Sequence, residues 1–315
     1  MSEKHYKDKN MKIRGLSEGF LNELEKGLLF PLLGLVKTDT TLSLEIRENY
    51  INIYYRGGNI LRITECDRVY GAGFDRKYLD ELTTRVPKNL PQKLKSSQDI
   101  SSWILAIPFQ KHEMDLWFGR NPKNEREFQQ LIVRENNTGR CAKSTDYFIC
   151  DIEYANSEGR FDLIAVRWPS SGTERKDNKH VGIAFIEMKY YDGALAGKAG
   201  LKEHLRDMNN FLAGQERLNN LKDEMRTVFN QMRRLGLINN QKDIADFNNE
   251  KPEYIFILAD HDPASSVLKR ELDGLPVNYP NLELKFAVSN FMGYGLYKQN
   301  IYCLKDFMVR FKEQI

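Results

Sequence analysis

The stretch HVGIAFIEMKYYDG, residues 180–193, sets the tightest limit on the fold of this 315-residue chain. Successive side chains of a strand point to opposite faces of its sheet, and here both faces begin with apolar residues. Such a strand is typical of the centre of a sheet that other elements cover on both sides. The stretch therefore predicts a layered α/β domain with this strand in the middle of its sheet.

Two opposite charges interrupt the strand near its end. The strand period of two puts Glu187 and Lys189 on one face, with their side-chain roots about 6.5–7 Å apart. Buried charges are costly unless they have partners. These two side chains therefore predict a cation, an anion or water at the strand end, and the alternative is a simple surface ion pair.

The elements around this strand are predicted to follow an α-β-β-β-α-(α)-β-α-β order. The first helix is amphipathic, with Phe128, Leu131 and Ile132 in its apolar stripe and Asn124 as its N-cap. An antiparallel hairpin comes next, then the strand described above, and two helices lead to another buried strand. The expected helices are 121–137, 199–212, 215–236 and 263–272. The expected strands are 147–154, 161–168, 180–190, 254–260 and 282–291.

The first part of the chain is predicted to form a smaller, antiparallel sheet. Alternating side chains and the Gly57-Gly58 pair predict two or three strands over residues 41–63, joined by a tight hairpin turn. A polar segment with two prolines at 85–99 and the short helices after it indicate a boundary near residue 115. We therefore expect a β-rich α+β extension at 1–115, for recognition of a substrate or partner, and a catalytic domain at 116–315.

Two further acids are candidates for chemistry beside the charged strand end. Asp162 comes directly after the turn of the predicted hairpin, on a strand that is otherwise apolar. Glu125 borders the apolar face of the first helix and can lean over the sheet, with Glu127 as the near alternative. An aspartate that simply ends a turn is the plainer explanation for Asp162.

Together these residues resemble the active site of the PD-(D/E)xK, or restriction endonuclease-like, nuclease superfamily. The first motif is RFD with Asp162, and the second is IEMK with Glu187 and Lys189. The helix motif EREFQQLI is similar to the opening helix of the superfamily and matches Glu125. Arginine and phenylalanine, rather than proline, precede Asp162. The resemblance covers roughly residues 120–215 and implies an αβββαβ core in which helices flank a mixed central sheet.

The resemblance implies metal-assisted hydrolysis of phosphodiester bonds. Asp162 and Glu187 would bind Mg²⁺, which Mn²⁺ can replace, and the main-chain carbonyl of Met188 would add a ligand. Glu125 would bind a second metal ion or position the attacking water. Lys189 would orient or deprotonate that water and hold a phosphate oxygen.

A DNA endonuclease is the leading hypothesis, with DNA rather than RNA as the expected partner. Dimerisation is common in the superfamily, so a homodimer is an open expectation. The first alternative is a decayed nuclease fold that only binds nucleic acid or another partner. The second is an interaction module in which the charged strand end is merely an ion pair.

Other basic residues are weaker candidates for nucleic-acid contacts. Arg56 lies beside tyrosines on the N-terminal hairpin, although an ordinary half-solvated sheet face is the favoured explanation. Lys198 and Lys202 lie in a glycine-rich segment before a helix start, where amides and lysines can hold phosphate. A flexible loop explains that segment equally well. His204 shares a helix side with apolar residues and is expected to be packed rather than catalytic.

Composition adds only weak limits to these hypotheses. The chain has 47 Lys and Arg and 44 Asp and Glu residues, which gives a net charge of +3. This small excess of positive charge only weakly favours a polyanionic partner. The four cysteines include no C-x-x-C pair, which argues against a zinc knuckle. The longest apolar run, at 27–36, is shorter than the ~20 residues of a membrane span. With no signal-like N-terminus, these features predict a cytoplasmic protein.

Overall fold

Two sheets organise the chain. The computed structural model describes residues 14–67, 69–80, 82–156, 158–240, 242–260, 266–289 and 301–313. Within these residues the protein is a mixed α/β structure with eight α-helices, one antiparallel sheet of five strands and one mixed sheet of six strands. The antiparallel sheet is formed by the first part of the chain and the mixed sheet by the second, as the patterns predict.

The N-terminal region surrounds its antiparallel sheet with three helices. Its elements are α1 (Glu18–Lys26), α2 (Phe30–Thr38), β1 (Leu42–Ile46), β2 (Tyr50–Tyr55), β3 (Gly58–Cys66), β4 (Val69–Gly73), β5 (Lys93–Leu94) and α3 (Ser97–Arg120). The predicted hairpin is the β2–β3 pair, but its turn lies one residue earlier than expected. Arg56 and Gly57 have the positive φ values, 49° and 71°, whereas Gly58 already pairs with Tyr55.

A buried ionic contact joins the N-terminal region to the second region. Arg47 donates to Asp151 Oδ1 at 2.8 Å and to the Ile152 carbonyl at 2.6 Å, and its side chain is buried. Arg14 approaches the other oxygen of Asp151 at 2.8 Å. Because all three charged groups are shielded from water, the two regions are joined by a buried ionic contact.

The second region contains the mixed sheet, in the strand order β11-β10-β9-β8-β7-β6. Its elements are α4 (Asn124–Asn137), β6 (Tyr147–Ala155), β7 (Arg160–Arg167), β8 (Gly182–Tyr190), α5 (Leu201–Leu212), α6 (Gln215–Arg234), β9 (Glu253–Ala259), α7 (Ser266–Asp273), β10 (Glu283–Ser289), β11 (Ile301–Cys303) and α8 (Leu304–Glu313). Strands β6, β7 and β8 form an antiparallel meander, β8, β9 and β10 are parallel, and β11 is antiparallel to β10.

Strand β8 is the predicted central strand, since it pairs with β7 on one side and β9 on the other. Every residue from Gly182 to Lys189 is buried. One of its faces, with Phe185, belongs to the larger apolar cluster, in which Phe211 of α5 packs nearby. The other face, with Met188, belongs to a second cluster that includes Phe128 of α4. Helices thus cover both faces, as the apolar alternation predicts.

Helix α3 passes through the expected domain boundary without interruption. It is 24 residues long, and residue 115 lies inside its last two turns. The two regions are therefore connected by a continuous helix at this point rather than by a linker. In the part of the chain that the structure describes, no helix combines the length and apolar character needed to cross a membrane.

Candidate active site

The chain brings the start of β7, the end of β8 and the start of α4 to one cavity of about 350 Å³. Strands β7 and β8 are antiparallel, and the pairing of Leu163 with Ile186 brings Asp162 beside Glu187. The ionisable lining includes Glu125, Glu153, Asp162, Glu187, Lys189 and His204. All four ionisable residues predicted for catalysis therefore lie around one cavity.

Glu187 and Lys189 form a buried ion pair, which contradicts the alternative of a surface pair. Lys189 Nζ donates to Glu187 Oε1 at 2.9 Å, and the two side chains are only 4% and 7% exposed. The lysine also donates to the Ala199 carbonyl at 2.8 Å. Two bonds therefore hold the ammonium group in place, one from its own strand and one from the loop before α5.

His204 is a residue of this site that the sequence reasoning missed. Its Nδ1 lies 2.9 Å from Glu187 Oε1, and its side chain is about one third exposed. The expectation of a packed histidine is wrong: Leu201 and Leu205 are buried, whereas His204 faces the cavity. Its position in the first turn of the helix after the charged strand is the only sequence signal that could have indicated it.

The surroundings of Glu187 favour its ionised form. Burial by itself raises the pKa of a carboxyl group, but the hydrogen bond with His204 and the charge of Lys189 outweigh burial. As a result the pKa of Glu187 is lowered. The site therefore holds a carboxylate at the end of β8.

The surroundings of Asp162 favour its protonated form, in contrast to those of Glu187. Its Oδ2 accepts the Met188 N–H at 2.8 Å, which ties the carboxyl group to the next strand. Burial, followed by the negative charge of Glu187, raises the pKa of Asp162 well above its usual range. Two acids that compete for ionisation in one cavity create a demand for added positive charge.

Of the two candidate glutamates on α4, Glu125 is the one that lines the cavity. Burial raises its pKa. Glu127 instead binds Arg56, with its carboxylate 3.1 Å from the guanidinium. The helix cap also differs from the prediction, because Lys123 rather than Asn124 occupies the N-cap position and makes no side-chain capping bond.

The predicted nucleic-acid contacts lie outside the cavity. Arg56 is bound by Asp115 at 3.0 Å as well as by Glu127, so its charge is already balanced. Lys202 forms a partly exposed ion pair with Glu271 at 3.3 Å. Lys198 is exposed on the loop that precedes α5. The structure thus brings none of these three cations into the acidic cavity.

The donor set suits a magnesium ion with few protein ligands. Mg²⁺ takes oxygen ligands, keeps several waters and is typically bound by one or two carboxylates. Asp162 and Glu187 provide two neighbouring carboxyl groups. Burial and the charge of Glu187 raise the pKa of Asp162, and a nearby cation acts in the opposite direction. Within the described residues, no group of three or more His, Cys, Asp or Glu side chains is arranged to hold one ion. A cage made entirely of protein side chains is therefore not what these residues form.

The chain matches no protein-family model, and comparison with curated proteins and solved structures gives no significant match. The functional argument therefore rests on the residues, the fold and the geometry of this cavity.

Proposed function

We propose that this protein is a metal-dependent nuclease that hydrolyses phosphodiester bonds, with DNA as the expected substrate. The observation that carries the proposal is the buried Glu187–Lys189 pair beside Asp162 in one cavity. Burying an ion pair contributes little to stability on balance. A pair that opens onto an acidic cavity is instead suited to bind a metal ion and a phosphate group.

The order of elements supports the same proposal. Helix α4, strands β6 to β8, helices α5 and α6 and strand β9 follow one another in the chain, and β9 is parallel to β8. This order agrees with the αβββαβ core that the resemblance to PD-(D/E)xK nucleases implies. The restriction endonuclease-like assignment of the fold is part of the proposal.

Asp162, Glu187 and the Met188 carbonyl would hold Mg²⁺ or Mn²⁺. When bound, the ion would supply positive charge for the phosphate and acidify a water molecule. Lys189 has three N–H donors, and its bonds to Glu187 and Ala199 leave one for a water or a phosphate oxygen. This third donor would position the attacking water or stabilise charge on the phosphate.

Glu125 is suited to proton transfer in this scheme. Its raised pKa makes it a stronger base than an ordinary carboxylate, closer to the range of efficient general bases. It would accept a proton from the attacking water and could return it to the leaving oxygen. His204 would fix the orientation of Glu187 through their shared hydrogen bond.

A cleavage assay tests the proposal. The purified chain would be incubated with plasmid, linear duplex DNA, single-stranded DNA and RNA, in Mg²⁺, in Mn²⁺ and in EDTA. We expect metal-dependent cleavage that Lys189→Ala and Asp162→Asn abolish while circular dichroism shows a folded protein. Absence of cleavage of every substrate by the wild-type protein, or full activity of both variants, would overturn it.

A second candidate is a nucleic-acid-binding module that lacks catalysis. The observation in its favour is that Glu187 Oε1 already has two partners, Lys189 and His204, in a cavity without a three-residue metal cluster among the described residues. Calorimetric titration with Mn²⁺ separates the two candidates. Saturable binding that Asp162→Asn removes supports the nuclease, and no binding supports the module.

A further inference from the structure

Tyr191, the first residue after β8, has a strained backbone. Its φ of 63° and ψ of 161° fall in a region that is essentially restricted to glycine, because a Cβ atom clashes there. Such a conformation persists only where the surrounding structure enforces it, and strained residues concentrate at binding and catalytic sites. A bulky aromatic residue in this conformation, two positions after Lys189, therefore requires an explanation.

Contacts on both sides hold Tyr191 in this conformation. Its N–H donates to the Ala259 carbonyl at 3.0 Å, and its own carbonyl accepts the Ala194 N–H at 3.2 Å. The following loop is anchored by Leu195, which is 1% exposed, and by the bond between Lys189 and the Ala199 carbonyl. The backbone is thus fixed by the strand before it and by the loop after it.

The side chain that this backbone presents is mostly in solvent. Tyr191 is 63% exposed, whereas Tyr190 packs against Phe128 of α4 with ring centroids 5.1 Å apart. The rings of Tyr190 and Tyr191 are 6.5 Å apart, near the outer limit of an aromatic contact. An exposed ring on a fixed backbone therefore stands where the loop that lines the cavity begins, since Ala194 and Ala199 of that loop are lining residues.

We propose that Tyr191 stacks on an unpaired nucleobase next to the phosphate held in the cavity. This inference rests on the proposed nuclease function and names its substrate class. Aromatic side chains bind bases through their flat faces without regard to sequence. A base inside a duplex already has both faces covered, and it must leave the stack before a protein ring can reach it. The preferred substrate is thus single-stranded, or unpaired at the point of cleavage.

The test measures binding in Ca²⁺, an oxygen-seeking ion that keeps positive charge at the phosphate site, and gel electrophoresis checks that the oligonucleotide stays uncleaved. Fluorescence anisotropy would follow a labelled single-stranded oligonucleotide and a duplex of the same length, with wild-type protein, Tyr191→Gly, Tyr191→Trp and Phe30→Ala. Phe30 is a matched control, because it is also an exposed aromatic residue, at 54%, but lies on α2 in the N-terminal region.

We expect Tyr191→Gly to weaken single-strand binding about tenfold, the effect of losing one stacked base, and to raise Tm because glycine relieves the strain. Tyr191→Trp should bind at least as tightly as wild type, and Phe30→Ala should change neither quantity. A higher Tm of Tyr191→Gly with affinity unchanged within about twofold would overturn the inference. So would equal affinity of the wild-type protein for the duplex and the single strand.

The cleavage assay separates this inference from the proposed function. Metal-dependent cleavage that Tyr191→Gly leaves unchanged for single strands refutes the stacking role and keeps the nuclease. Tyr191-dependent binding of single strands without any cleavage keeps the stacking role and refutes the nuclease. Failure of the wild-type protein to bind any oligonucleotide refutes the stacking role.

Discussion

The ammonium group of Lys189 lies 2.9 Å from the carboxylate of Glu187, two residues earlier on the same strand, and both side chains are almost fully buried. Side chains two residues apart on a strand share a face, but their charged ends come into contact only where neighbouring groups orient both side chains toward each other. Here His204 and the Ala199 carbonyl provide further bonds to the pair. The result is a charged site whose geometry is held by three different segments of the chain.

Replacing Lys189 with alanine should lower metal-dependent cleavage by about 10²–10⁴-fold, the usual contribution of a positioned proton-transfer or charge-stabilising group. The effect should appear in kcat more than in KM, because the third N–H of the ammonium acts on the reacting water or phosphate. Lys77→Ala is the control, since Lys77 forms an exposed pair with Asp75 in the N-terminal region. Equal rates for the two variants would contradict the role of Lys189.

Asp162→Asn should stabilise the metal-free protein while it removes activity. Burial and the charge of Glu187 raise the pKa of Asp162, so the folded protein loses stability relative to the unfolded chain as pH rises from the ordinary pKa toward the raised one. Asparagine removes this loss and can still accept the Met188 N–H. We expect Tm to rise by about 2 °C or more, measured by differential scanning calorimetry in EDTA.

Two controls accompany the Asp162 measurement. Asp207→Asn, at an exposed position on α5, should leave Tm unchanged. Added Mg²⁺ should raise the Tm of wild type but not that of Asp162→Asn. A lower Tm for Asp162→Asn in EDTA would show that the carboxylate stabilises the fold, against the direction of the pKa shift.

Glu45 should make the stability of the protein depend on pH. It is fully buried on β1, and its pKa is raised to about 8, first by burial and then by the charge of Asp151, against the opposing effect of Arg47. Because the folded-state pKa exceeds the ordinary value of 4.5, the stabilisation is complete below 4.5 and is lost as pH rises through about 8. The slope in this window is about 1.4 kcal/mol per pH unit.

Urea unfolding of wild type and Glu45→Gln at several pH values checks this prediction. The difference between the two free energies of unfolding should follow that slope between pH 4.5 and about 8 and level off outside the window. A constant difference would mean that Glu45 titrates alike in the folded and unfolded protein.

His204→Ala should reduce kcat about tenfold, because one of the two groups that orient Glu187 is lost. His204→Asn places an amide nitrogen near the position of Nδ1 and should recover part of the activity. Steady-state kinetics would measure both, and a KM within about twofold of wild type is expected. An Asn variant as impaired as the Ala variant would argue against a positioning hydrogen bond.

Asp151→Ala should destabilise the protein by about 3–5 kcal/mol, because two buried arginines lose their partner. Both Arg14 and Arg47 lie 2.8 Å from this carboxylate, which is inaccessible to water. Asp75→Ala breaks the exposed pair with Lys77 and should cost at most about 1 kcal/mol. Urea unfolding curves of the two variants provide the comparison, and similar midpoints would contradict a structural role for the buried contact.

Local patterns determined a large part of the fold. The alternation around Glu187 predicted β8 as a strand covered on both faces, and the predicted order of helices and strands agrees with the structure from α4 to β10. Strand β11 and helix α8 were not predicted. The hairpin of β2 and β3 was also predicted, with its turn displaced by one residue. These features could be predicted because side-chain period and turn preference depend on residues that are adjacent in the sequence.

Asp162, Glu125 and Lys189 were predicted from residue type and spacing, but only the tertiary structure decided which neighbours they meet. It placed Glu125 rather than Glu127 in the cavity and brought His204 to Glu187. It also paired Arg47 with Asp151, 104 residues away in the chain. Such contacts depend on how whole helices and strands pack against one another. A local sequence pattern cannot predict which residues far apart in the chain will come into contact.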